Sequence, residues 1–167
     1  MKYITLVILL FCITRGLSQD YHSAIGLRGG YSSGISYKRC LNDEIAYEGI
    51  FTIKNLGIQV TGLKEFHQPL LWKQSDKLYF VYGYGGHLGF FNRYYYHRFM
   101  SPFNRPIRSN ISYFVTGLDA LLGIEYRFIR FPFLAGVEYK PFFHLFGPNY
   151  FNMYLADVAI TFKYILN

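Results

Sequence analysis

The chain has 167 residues, with 17 Lys and Arg against 10 Asp and Glu, a formal charge of +7, two cysteines, and 17 Tyr beside 17 Phe. The length fits one domain once a leader is set aside. Two cysteines, one of them inside that leader, exclude a disulfide framework, and no later apolar run reaches the roughly 18 residues of a membrane helix.

The first element is the leader. Met1-Lys2 is a minimal basic start, "YITLVILLFCI" is an apolar core, and Gly16-Leu17-Ser18 puts small residues where a signal peptidase reads. Residues 1–18 are expected to be a signal peptide cleaved after Ser18, leaving 19–167 as the mature domain. The apolar run is shorter than the roughly 20 residues of a membrane anchor. Phe11 ahead of Cys12 argues against a lipoprotein. An exported chain whose sole remaining cysteine is Cys40 holds itself together without an internal disulfide, and nothing in the sequence gives Cys40 a role.

Reading onward in steps of two predicts eight strands, each with one greasy face and one small, polar or charged face. Strand one, Tyr21 to Tyr31, sets Ile25, Leu27 and Tyr31 against Ala24, Gly26, Arg28 and Gly30. Strand two, Gly34 to Leu41, sets Ile35 and Tyr37 against Ser36 and Lys38. Strand three, Glu44 to Lys54, sets Ile45, Tyr47, Phe51 and Ile53 against Glu44, Ala46, Glu48 and Thr52. Strand four, Gly57 to His67, sets Ile58, Val60 and Phe66 against Gln59, Thr61 and Glu65. Strand five, Lys77 to Phe90, sets Leu78, Phe80, Tyr82 and Tyr84 against Lys77, Tyr79, Gly83, Gly85 and His87. The sixth sets Leu118, Leu122, Ile124, Tyr126 and Phe128 against Gly117, Asp119, Gly123, Glu125 and Arg127. The seventh sets Phe133, Ala135, Val137 and Tyr139 against Gly136, Glu138 and Lys140. The eighth, Asn152 to Leu166, sets Val158, Ile160, Phe162, Tyr164 and Leu166 against Asp157, Ala159, Thr161 and Lys163.

A β-sandwich would also alternate, but its charged face meets water and carries either sign freely. Here the acids Glu44, Glu48, Glu65, Asp119, Glu125, Glu138 and Asp157 share the non-greasy face with Arg28, Lys38, Arg127, Lys140 and Lys163, among many Gly and Ala. Small residues with near-balanced charge suit the crowded interior of a narrow barrel, where an unpaired ion is costly. Aromatics near both strand ends suit the girdles of a lipid-facing band. The expected fold is all-β, an eight-stranded antiparallel up-and-down transmembrane β-barrel with an interior ionic core of Arg28, Lys38, Glu48, Asp119, Glu125, Arg127, Glu138, Lys140, Asp157 and Lys163. If strands one and eight close the barrel with Tyr21 opposite Tyr164 or Leu166, Arg28 lies level with Ala159 and contacts Asp157. By the same arithmetic across the "FIRFP" turn, Asp119 lies near Lys140.

The stretch "DVAITFKY" resembles the recognition signal of outer-membrane barrels, with Asp157, Ala159, Phe162 and Tyr164 in the signal positions, although Ala159 stands where Gly is usual and the chain runs on through "ILN". "YGYGGHLGFF", "TGLDALLGIEYRF" and "AGVEYKPFF" resemble the small outer-membrane protein β-barrel domain family, eight-stranded relatives of the outer-membrane protein A and X barrels. That resemblance implies a bacterial outer-membrane location, contact with outer-membrane lipids and the barrel assembly machinery, and a monomer. It implies no defined activity.

The connection from Phe90 to Asn110 holds Arg93, Arg98, Arg105 and Arg108 and no acid. It could grip lipopolysaccharide phosphates or another acidic surface through Arg forks, or simply extend two strands into an anionic leaflet. Some eight-stranded barrels modify lipid A, and His97 with Ser101, Ser109 or Ser112 is the raw material for such a site, but no strand spacing brings them together. His87 reads as a hydrogen-bonded core residue. No Cys/His cluster suggests a metal, no glycine-rich loop precedes a helix, and basic charge on an exported barrel is no sign of nucleic acid. No cofactor is expected. A soluble ligand-carrying barrel would need an apolar interior, which the inward charges contradict. The expected role is structural or surface-interacting, without a wide pore, because eight strands leave an interior just filled by side chains.

Overall fold

The computed structural model describes residues 21–42, 44–54, 57–70, 77–92, 112–128, 130–147 and 152–166. The expected leader, the four arginines of the long connection, His97, Ser101 and Ser109 all lie outside the described residues. Within them run ten strands: β1 (Ser23–Gly30), β2 (Ser33–Cys40), β3 (Ile45–Lys54), β4 (Gly57–Pro69), β5 (Leu78–Asn92), β6 (Ser112–Arg127), β7 (Phe133–Tyr139), β8 (Phe142–Phe146), β9 (Asn152–Tyr154) and β10 (Val158–Leu166).

Each strand pairs antiparallel with its neighbour, from β1 through β7, and β10 pairs with both β7 and β1. The sheet therefore closes on itself through the pairings of β10 with β1 and β7. β7 and β8 lie end to end along β6, and β9 and β10 likewise form one line, so ten strands make eight staves. The break between β7 and β8 falls at Pro141, which has no N–H to give. Backbone bonds on either side carry the wall across it: Ala120 N donates to Pro141 O (2.9 Å) and Lys140 N donates to Asp157 O (2.8 Å).

Alternation decides which side each residue faces. Along β1 and β10, Ala24, Arg28, Ala159, Thr161 and Lys163 are buried in the interior, while Ile25, Leu27, Ile160 and Phe162 stand exposed on the outer wall. The same split runs round the barrel, with Ile35, Tyr37, Ile53, Val60, Leu88, Leu118, Leu122, Ile124 and Val137 outside. The interior is not ionic throughout. Ile50, Leu63, Val81 and Leu121 form a buried apolar cluster on one wall, and Tyr21, Ala24, Leu134 and Ile165 close the end that carries β1's start and β10's finish.

Five particulars differ from the sequence reading. β8 was not foreseen, and the expected eighth strand is interrupted over residues 155–157. Phe91 and Asn92 extend β5 past the expected end at Phe90, opposite Tyr113 and Ser112, so the long connection starts at residue 93. Glu44 lies before β3 and is exposed, because the strand's inward face begins only at Ala46. The register between β1 and β10 sets Ser23 opposite Leu166 and Arg28 opposite Thr161, two residues away from the expected partner Ala159.

Candidate functional site

The interior charges form one connected lattice. Lys38 Nζ lies 2.9 Å from Glu65, 2.9 Å from Glu125 and 3.6 Å from Glu48. Lys163 Nζ reaches Glu48 at 2.9 Å, Glu138 at 3.0 Å and Glu125 at 3.7 Å. Arg28 pairs with Glu138 and stands 3.5 Å from Asp157. Lys140 joins Asp157 at 3.6 Å and Asp119 at 2.9 Å. Each cation thus bridges at least two carboxylates drawn from different staves. That arrangement suits a low-dielectric interior, where a charge left without a partner is costly.

Local sequence makes room for these long side chains. Gly26 faces Lys163 across the β1–β10 pair, and a Cβ there would stand 2.4 Å from Lys163 Cγ. Ser32, in the β1–β2 turn, donates to Asp157 Oδ2 at 2.6 Å, and Tyr21 OH donates to Glu125 Oε1 at 3.3 Å.

The predicted core residues Arg28, Lys38, Glu48, Asp119, Glu125, Glu138, Lys140, Asp157 and Lys163 all lie in this lattice. The expected Asp119–Lys140 and Arg28–Asp157 contacts are present, the latter in spite of the shifted register and second to Arg28–Glu138. Arg127 is the correction. It ends β6 at the barrel mouth and is half-buried where a core position was expected, with its guanidinium 5.0 Å over the ring of Tyr21. Of the C-terminal signal residues, Asp157 and Ala159 point inward, Phe162 is exposed on the outer wall and Tyr164 is half-buried. Ser112 is exposed at the start of β6.

Sequence reasoning missed two features. At the end with β1's start and β10's finish, a cavity of about 510 Å3 is lined by Tyr21, Cys40, His67, Tyr79, Glu125 and Arg127 among others. Its walls come from the ends of strands far apart in sequence. Toward the opposite end, His87 Nδ1 lies 2.6 Å from Asp119 Oδ2, and His87 Nε2 lies 3.0 Å from Nδ1 of His144. His144 belongs to β8, which no pattern announced.

No protein-family model matches the sequence, and comparison with curated proteins gives no match. Among solved structures, the N-terminal β-barrel domain of Pseudomonas aeruginosa OprF matches with a TM-score of 0.61 at 14% sequence identity. The match covers 89% of this chain and 100% of that one. At that identity the likeness is one of fold, and the chain is an all-β, closed, eight-staved antiparallel barrel similar to the OprF barrel domain.

Proposed function

We propose that this chain is an integral barrel of the bacterial outer membrane, with a structural or surface-interaction role and a plugged interior. The observation that carries the reading is its inverted polarity. Leu27, Ile53, Leu118 and Ile160 lie between 57% and 68% exposed, whereas Lys38, Lys140 and Lys163 are each 1% exposed. Soluble monomers rarely expose apolar patches beyond a few hundred Å2, and a continuous greasy wall around a barrel has a bilayer as its natural solvent. The fold shared with the OprF barrel domain supports the same assignment. The lattice of ion pairs occupies the space that a wide channel would need. In this orientation the end with β1's start and β10's finish faces the periplasm, and the end where β5 finishes and β6 starts faces outward. Exposed Phe162 and partly exposed Tyr164 on β10 suit recognition by the barrel assembly machinery.

The test is fractionation of cells expressing the full chain, followed by electrophoresis of the membrane fraction with and without boiling. A compact, fast-migrating form in the outer membrane that slows on boiling is expected. A soluble, heat-insensitive product would overturn the proposal.

A further inference from the structure

His87, Gly117 and His144 lie in one row across three strands: His87 of β5 opposite Gly117 of β6, and Gly117 opposite His144 of β8. The glycine leaves the middle of the row empty. A Cβ at Gly117 would stand 2.7 Å from Cε1 of His87 and 2.0 Å from the carbonyl oxygen of Phe143. The two imidazoles therefore meet over β6, their rings at 87° and their facing nitrogens 3.0 Å apart. Both are buried, at 2% and 8% exposure. Phe142 packs edge-on against both rings, and Tyr154 against His144. Behind the pair, Asp119 takes Nδ1 of His87 on one oxygen and the Lys140 ammonium on the other.

The geometry points to a transition-metal site, with Zn2+ or Cu2+ held between Nε2 of His87 and Nδ1 of His144 and Asp119 acting as a positioning residue. Imidazole nitrogens suit these borderline cations. A carboxylate on the remote nitrogen of a histidine fixes the ring and raises its basicity, the usual outer partner of a metal-bound imidazole. The fit is close in distance. Two metal–nitrogen bonds of roughly 2.0–2.1 Å at a tetrahedral angle would separate the nitrogens by about 3.4 Å, a few tenths more than they stand now. Binding breaks the N–H···N bond of the pair and forms two metal–nitrogen bonds, while the His144 proton moves from Nδ1 to Nε2 of the same ring, so both imidazoles stay neutral and no proton is released. Among the described residues no three His, Cys, Asp or Glu side chains make a ligand set. The protein thus supplies two nitrogens, and water completes the coordination. Such a site is exchangeable rather than structural.

The experiment titrates the refolded full chain in detergent with ZnCl2 and CuCl2. Calorimetry in buffers of different ionisation enthalpy gives stoichiometry and proton release, and electron paramagnetic resonance of the Cu2+ form reads the number of nitrogen ligands. One equivalent, no net proton release and a two-nitrogen signature are expected. His87→Gln and His144→Gln should each weaken binding by at least about tenfold and lose one nitrogen from the signature. Asp119→Asn should weaken binding by about 10- to 100-fold while keeping both nitrogens, which a merely structural carboxylate would not do. Heat-dependent gel mobility confirms that each variant is folded, and His22→Gln, which removes a histidine exposed beyond the strands, should leave binding unchanged. Equal affinity and an equal signature in parent and the His87→Gln/His144→Gln double variant would overturn the site, as would the absence of binding in the parent.

Discussion

Replacing Lys38 by Met should be among the most damaging single changes in the barrel. Met keeps most of the volume and removes the charge. Lys38 Nζ serves three carboxylates at 2.9, 2.9 and 3.6 Å, and all of these side chains are nearly inaccessible. Two of the three retain Lys163, which stands 2.9 Å from Glu48 and 3.7 Å from Glu125. Glu65 does not; its remaining ion-pair contact is His67, at 3.3 Å. The stranded Glu65 therefore sets the magnitude, and breaking one side of a buried pair costs about 3–5 kcal/mol, a factor of roughly 10^2 to 10^4 in the folding constant. Glu65→Gln in the same chain should recover at least about 1 kcal/mol, because the amide removes the orphaned charge. Urea unfolding of the refolded barrel in detergent, followed by far-ultraviolet circular dichroism with the parent slope as control, reads both quantities. A Lys38→Met loss below about 1 kcal/mol, or a double variant equal to the sum of its singles, would refute the argument.

Further outcomes follow from other parts of the lattice, the wall and the outward loop. Asp119→Lys or Lys140→Asp alone should destabilise the fold, whereas the exchanged pair should restore part of the loss in the same unfolding assay; strict additivity would count against pairing across 2.9 Å. Ile160→Lys on the outer wall should cost about 2–4 kcal/mol in a bilayer if it lies near the midplane, but within about 0.5 kcal/mol if that wall meets water. Changing Arg93, Arg98, Arg105 and Arg108 together to Gln should abolish salt-sensitive binding to lipopolysaccharide-coated surfaces. Binding that is equal in parent and variant and indifferent to salt would dismiss an anion-gripping loop. Replacing residues 93–109 by a short turn should leave refolding yield intact, because the β5–β6 ladder and the interior lattice lie outside that segment.

Most of the wall was legible because a strand reports its face every second residue. The same period explains the one register error. Shifting β1 against β10 by two residues leaves every side chain on its own face, so alternation placed Arg28 inside but could not say whether Thr161 or Ala159 stood opposite. Arg28 is long enough to reach Asp157 in either register, which is why that contact was foreseen although its register was not. β8 escaped notice for another reason. "PFFHLF" opens with proline and carries aromatics on both faces, so it has no alternation to read. His144 was hidden with it, and its meeting with His87 joins positions 57 residues apart, which no local spacing encodes. Arg127 had the right parity for the interior, but it lies at the last rung, where the Tyr21 ring offers a surface beside the mouth.

The staves are unequal: β1 and β2 have 8 residues each, against 15 in β5 and 16 in β6. Arg28 near the far end of β1 connects through Asp157 and Lys140 to Asp119, and Asp119 to His87, yet β5 runs on past His87 to Asn92 and β6 starts well before Asp119, at Ser112. The tube is cut obliquely, and its tall side remains greasy upward through Leu88, Phe90, Phe114 and Phe146. Each tilted residue adds roughly 2.5 Å of height, so the two sides ask for bilayers of different thickness. A barrel of this shape satisfies both by leaning, at fractions of a kcal/mol per Å of mismatch. In the bilayer proposed above, the mismatch that leaning leaves would fall on the lipids, thinned on the short side and stretched on the tall one, and the barrel would impose a slope on the membrane around it.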